Sequence, residues 1–181
     1  MYGIIAVALV LIVAVFMYNR FVRQRNILNE AWSGIDVQLK RRHDLIPNII
    51  ETVKGYAQHE KKVLEEITNL RSRLTGQETV KEKGQIENSF SQAFKSIFAL
   101  AEAYPDLKAN QNFIELQRVL AETEEQIQLA RRYYNGAARD YNTMVETFPN
   151  NIMAKIFGFT KADFFEIELA TEREVPGVKF N

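Results

Sequence analysis

Apolar side chains along this chain fall into two regimes. An unbroken run covers residues 1–18, and behind it a stripe recurs every three, four or seven residues. Between residues 27 and 46 the stripe reads Ile27, Ala31, Ile35, Leu39 and Leu45-Ile46. It continues as Ile49, Val53, Tyr56, Val63, Ile67, Leu70 and Leu74, then as Ile86, Phe90, Phe94, Ile97, Ala101 and Tyr104. The last stretch offers Phe113, Leu116, Leu120, Ile127, Tyr134, Tyr141, Met144 and Phe148. Such steps put one face of each segment on a shared core, and strand-like alternation is nearly absent. The chain reads as all-α.

End signals divide the stripe. Lys40-Arg41-Arg42-His43 is a cationic cluster suited to the negative end of a helix macrodipole. Asp44 and Pro47 look like a new start, because proline fits a first turn and disfavours helix in the residue before it. Gly76 after Arg71 and Arg73 reads as a stop, and Thr79-Val80-Lys81-Glu82 matches a capping box. Pro105-Asp106 and Phe148-Pro149-Asn150 bound the final segment. Helices over 19–44, 47–74 and 79–104 would each be roughly 40 Å long. With a longer one over 107–147 they predict an up-and-down four-helix bundle with short connections. The stripe passes Pro47 almost in phase, as a single kinked helix would also require; a turn there is the favoured reading.

The leading run supplies an anchor. About 20 apolar residues at 1.5 Å rise span a hydrocarbon core about 30 Å thick, and residues 1–19 reach the lower part of that range. Nothing basic precedes the run, and Phe16-Met17-Tyr18-Asn19 is a poor cleavage site, which argues against a signal peptide. The alternative is a buried core helix, which a chain this small has little room to surround. Arg20, Arg23 and Arg25 flank the run on its C-terminal side, so the expected topology is single-pass in the cell membrane, Met1 outside and the body cytoplasmic. The expected domains are an anchor (1–19), a bundle (20–148) and a tail (149–181). In the tail, Ile152, Met153, Ile156, Phe157, Phe159, Phe164, Phe165, Ile167 and Leu169 cluster around Gly158, predicting a short amphipathic helix and then extended chain to Val175-Pro176-Gly177. Packing on the bundle is the default. Contact with a membrane surface or a partner is the sharper alternative.

Composition adds exclusions. Lys+Arg and Asp+Glu both number 23, so no global field points to nucleic acid. The basic flank could attract anionic headgroups at about 1 kcal/mol per residue. With no cysteine, disulfides and thiol chemistry are ruled out. His43 and His59 are the two histidines, and both are expected to be solvated or capping. His59-Glu60 starts like HExxH, but Val63 stands where the second ligand belongs. A carboxylate-bridged metal site in a bundle needs Glu-x-x-His pairs, and Lys40 and Tyr56 hold the positions where the glutamates would be. No cofactor is expected.

One pattern is more unusual. Tyr134-Asn135 recurs seven residues later as Tyr141-Asn142, with Arg132 and Arg139 repeating beside them. Polar groups on a seam specify register, since an amide left unpaired inside costs on the order of 1–3 kcal/mol. Trp32, beside Ser33-Gly34 and near Asp36, suggests close helix packing with the indole N–H seeking an acceptor. Trp32, Asp36, Tyr134, Asn135, Tyr141 and Asn142 thus form a candidate structural seam, with ligand binding the alternative.

The blocks Glu30-Ala31-Trp32-Ser33-Gly34-Ile35-Asp36-Val37-Gln38-Leu39-Lys40-Arg41-Arg42, Asp44-Leu45-Ile46-Pro47-Asn48 and Thr52-Val53-Lys54-Gly55-Tyr56 closely resemble the LemA family of bacterial membrane proteins. So do Ala103-Tyr104-Pro105-Asp106-Leu107-Lys108-Ala109-Asn110, Arg131-Arg132-Tyr133-Tyr134-Asn135 with Asp140-Tyr141-Asn142, and Phe148-Pro149-Asn150. The resemblance covers essentially the whole chain. It implies one N-terminal membrane helix, N-terminus out, and a cytoplasmic four-helix bundle with a turn at Pro47; it brings no catalytic residues. The expected function is a non-enzymatic, membrane-anchored scaffold or adaptor whose partners are the lipid bilayer, further copies of itself and other membrane proteins. Membrane shaping is the alternative, and a bundle-core metal enzyme a minor one.

Overall fold

The computed structural model describes residues 1–56, 61–73 and 78–166, with 61–63 as backbone alone. His59, Val63's side chain, Leu74, Gly76, Ile167, Leu169 and Val175-Pro176-Gly177, all used in the sequence reading, lie outside the described residues. Every regular element among the described residues is helical: α1 (Tyr2–Asp44), α2 (Ile46–Lys54), α3 (Lys61–Ser72), α4 (Val80–Glu102), α5 (Pro105–Lys108), α6 (Gln111–Glu146) and α7 (Asn150–Phe157). The fold is all-α, a long apolar N-terminal helix followed by several others.

None of the leading apolar stretch is buried, which sets aside a core helix and leaves one long and apolar enough to cross a membrane. It runs into the body with no break: α1 continues past the arginines to Asp44.

The expected turn at Pro47 is a kink. Leu45 keeps right-handed helical dihedrals (φ −79°, ψ −20°), its N–H donates to the Arg42 carbonyl at 3.2 Å, and the ladder resumes with Ile49 N–H donating to Leu45 at 3.0 Å. Pro47 has no N–H and its ring crowds the carbonyl four residues back, so one residue of tighter helix absorbs the clash. The first rod therefore ends at Lys54, and the single helix expected over 47–74 is replaced by α2 and α3.

By contrast, α4 starts where the capping box places it. Thr79 N–H donates to the Glu82 carboxylate at 2.9 Å and Glu82 N–H donates to Thr79 Oγ1 at 3.3 Å. The last long helix begins at Gln111 rather than 107, because Pro105–Lys108 forms its own short turn and Asn110 Oδ1 accepts from Phe113 N–H at 3.1 Å as a new cap.

The described residues divide into two compact units, one from 1–40 with 124–164 and the other from those within 41–123 with 165 and 166. In the first, the buried apolar positions are Phe21, Leu28, Ala31, Ile35 and Leu39 of α1 and Ile127, Tyr134, Ala138, Tyr141 and Met144 of α6, with Ala154 and Phe159. Leu28 is buried in place of the expected Ile27, and Phe148 leaves the stripe at 78% exposure. In the second, Ile46, Ile49 and Val53 of α2, Leu64, Ile67 and Leu70 of α3 and Ile86, Phe90, Phe94 and Ile97 of α4 enclose one core. Leu107, Phe113 and Leu120 join it; Tyr56 stands exposed at its margin.

Candidate functional site

Where the apolar run gives way to charge, the first unit assembles a site from α1, α6 and α7. The tail supplies its centre. Gly158 follows α7 in the left-handed region (φ 71°), a conformation glycine adopts without steric cost, and Phe159 N–H donates back to the Ala154 carbonyl at 2.9 Å. That reversal turns Phe159 inward, stacked on Phe21 at 4.6 Å between ring centroids. Tyr18 meets Phe157 edge-on at 4.9 Å and Phe159 at 5.9 Å. Arg25 carries its guanidinium 5.4 Å above the Phe159 ring, a cation–π contact, while Arg20 and Arg23 are exposed on either side of Phe21 in sequence.

Two candidate seam residues fasten the segment that follows. The Asn142 side-chain amide donates to the Ala162 carbonyl at 2.9 Å and accepts from the Ala162 N–H at 2.8 Å, mimicking a strand partner. Tyr134 donates its hydroxyl to the Asp163 carbonyl at 2.9 Å and stacks at a tilt on Trp32, 5.2 Å between centroids. Burial, helped by the Asp163 charge, pushes the Tyr134 phenol up to about 12. Burial also raises that of Tyr141, and the nearby Arg25 charge partly offsets it. Asp36 and Asn135 are half-buried on α1 and α6. A Lys161–Glu146 ion pair closes the exposed edge. The structure thus brings Trp32, Tyr134 and Asn142 to one task, holding extended chain against helices.

Sequence reasoning missed a second polar centre, inside the other unit. Arg42 and Glu87 are both wholly buried and form an ion pair. Arg42 Nη2 also donates to the Glu87 carbonyl at 3.0 Å, and Nη1 to Ser91 Oγ at 3.3 Å. His43, expected to be solvated or capping, instead places Nε2 2.8 Å from Glu87 Oε1, with its ring 4.9 Å from that of Phe90. The signal was present. Arg42 stands at helical steps from Ile35, Leu39 and Ile46, and Glu87 at helical steps from Phe90 and Phe94, so both lie within the apolar stripe.

That unit also has an open cleft of about 570 Å³ lined by Asn48, Glu51, Tyr56, Asn110 and Glu115, across which Asn110 Nδ2 donates to Tyr56 Oη at 2.8 Å. Arg118 pairs with Glu115 and lowers its carboxyl below the ordinary range. Among the described residues no three His, Asp or Glu side chains are grouped to hold a metal ion.

The family model described as LemA family matches residues 31–180. Protein LemA of Metamycoplasma hominis is 27% identical over 98% of this chain and 80% of its own length. Magnetosome protein MamQ 2 of Paramagnetospirillum magneticum is 23% identical over 82% of this chain. Magnetosome protein MamQ of Magnetospirillum gryphiswaldense is 21% identical over the same share, and the chain spans 64% of the length of each of these two.

Proposed function

The chain belongs to the LemA family, and we propose that it is a membrane-anchored, non-enzymatic scaffold or adaptor that self-assembles and docks partners at the cytoplasmic face of the membrane. One observation supports this above the rest: the exposed apolar run and the first helix of the folded body are one uninterrupted helix, Tyr2–Asp44. A flexible linker would let the body turn freely. A continuous helix holds it at a set angle to the bilayer, which suits a protein whose task is to present surfaces. Tethering in two dimensions also raises the effective concentration of copies, so weak lateral contacts suffice for assembly. Arg20, Arg23 and Arg25 argue for a cytoplasmic body.

Chemical cross-linking of the full chain in nanodiscs and in cells tests the assembly. Discrete oligomers that persist on dilution support it; a strict monomer at every membrane density rejects it. Protease added to intact cells tests the topology, and digestion of the body from outside would reverse it.

A second reading, membrane shaping, is favoured by the outward apolar side chains of α7, namely Ile152, Ile156 and Phe157. It predicts that the full chain reconstituted at high density deforms vesicles, seen by electron microscopy; uniformly smooth vesicles reject it.

A further inference from the structure

A surface helix normally turns its polar face outward, whereas α7 exposes Ile152 and Ile156 beside Lys155. Ala154 is its buried residue. Ile152 and Ile156, one turn apart, are 50% and 66% exposed, Phe157 is 49% exposed, and Phe148 just ahead of the helix is 78% exposed. Four large apolar groups within ten residues form an outward patch, and such a patch marks an interaction surface.

Its position says what covers it. Phe157 packs on Tyr18 and Phe159 on both Tyr18 and Phe21, so α7 is pinned to the turn of α1 where the membrane-spanning run ends. Tyr18 follows an apolar stretch about 25 Å long at 1.5 Å per residue, which places it at the far edge of the hydrocarbon core. Aromatic rings are enriched at that depth. The basic side chains Arg20, Arg23 and Lys155 are exposed in the same unit, the complement of an anionic headgroup layer.

We propose that α7 is an interfacial lipid-binding helix: Phe148, Ile152, Ile156 and Phe157 enter the headgroup–acyl boundary of the leaflet that receives the C-terminal end of the anchor. The occupant is the phospholipid bilayer itself, a surface continuous with the one that covers α1. The tail clamp acquires a purpose, because Asn142 and Tyr134 hold the chain after α7 and keep the helix from lifting away. Helices of this type bury their apolar face about 5–10 Å into the boundary. The proposal rests on the anchor reading and needs no self-assembly.

The absence of cysteine makes single-site labelling direct. Full-length chains carrying Ile156→Cys, Ile152→Cys, Ser33→Cys or Val7→Cys, each with an environment-sensitive fluorophore, are reconstituted in phosphatidylcholine–phosphatidylglycerol vesicles with nitroxide-labelled lipids. Labels at 152 and 156 should shift to the blue and be quenched by shallow-depth nitroxides several-fold more than the label at 33, with the label at 7 quenched by deep ones. Quenching at 7 together with solvent-like emission at both 152 and 156 overturns the proposal alone. Failure of quenching at 7 overturns the anchor as well. A blue shift at 156 without lipid quenching, growing with protein density, would show that a second copy covers the face instead, and that also rejects lipid as the occupant.

Discussion

Glu87 of α4 and Arg42 of α1 meet with neither side chain exposed to solvent, 45 residues apart in sequence. Two charges removed from water are tolerated because each is paired and hydrogen-bonded: Arg42 reaches the Glu87 carboxylate, its carbonyl and Ser91, while Glu87 also faces His43. Breaking such a pair from one side leaves an uncompensated buried charge and costs about 3–5 kcal/mol. Glu87→Leu should therefore lower stability by that amount in chemical denaturation of the full chain in detergent. The double variant Arg42→Met with Glu87→Leu should recover much of the loss, since packed apolar groups replace a buried pair with little penalty. If the double variant is as unstable as the single one, the ion pair is worth more than its own desolvation.

Gly84 sits in α4 where a Cβ would lie 2.7 Å from the carbonyl oxygen of Glu166 and 3.8 Å from the Phe165 ring. Backbone cannot step aside as a side-chain tip can. Gly84→Ala should cost about 1–3 kcal/mol through overpacking, against the roughly 1 kcal/mol that alanine normally returns to a helix. Gly34, with nothing within 4 Å of its added Cβ, is the control. Gly34→Ala should stabilise by up to about 1 kcal/mol, so the two melting temperatures should move in opposite directions.

The tail clamp gives a local readout. Asn142→Ala removes both hydrogen bonds to Ala162 and leaves its N–H without that acceptor, at a cost of about 1–3 kcal/mol to the docked segment. Because the loss falls on residues 159–164, trypsin cleavage after Lys161 should accelerate while the global unfolding midpoint moves less. Equal protection at Lys161 in both proteins would assign the docking to Phe159 and its rings alone.

The parts of this structure legible in the sequence are those decided within a few residues. The Thr79–Glu82 box needs four neighbours, and the short amphipathic helix in the tail, Asn150–Phe157, needs eight residues of its own pattern. The exposed leading run likewise follows from its own composition. Parts decided across the fold were not legible. Whether Pro47 reverses or bends the chain depends on Ile46, directly before the proline, staying in a helix that a following proline disfavours, and packing of Ile46 and Ile49 supplies the reason. Lys40-Arg41-Arg42-His43 reads locally as a charged helix end, because the carboxylate that takes Arg42 and His43 into the interior lies on another helix. In the candidate site, the heptad repeat of Tyr-Asn pairs picked out Tyr134 and Asn142. Their partners, the main chain at Asp163 and Ala162, carry no side-chain signal that a pattern could register.

Tyr134 links the clamp to pH. Its buried phenol, near the Asp163 charge, keeps its proton up to about 12 against an ordinary value of 10.0. The unfolded chain therefore ionises first as pH rises, and the folded state binds the proton more tightly. Stability is unaffected by this group below about pH 10 and declines as pH rises from about 10 to about 12, by the usual linkage of proton binding to folding. Tyr141 has a shift of the same sign, so the informative quantity is a difference between two proteins. Tyr134→Phe keeps the ring against Trp32 and removes the ionising group. Urea midpoints measured on both proteins across that range should fall more steeply for the native chain, with the gap between them narrowing as pH increases. Parallel curves would mean that the Tyr134 hydroxyl is reached by water, and that the tail over it is not held.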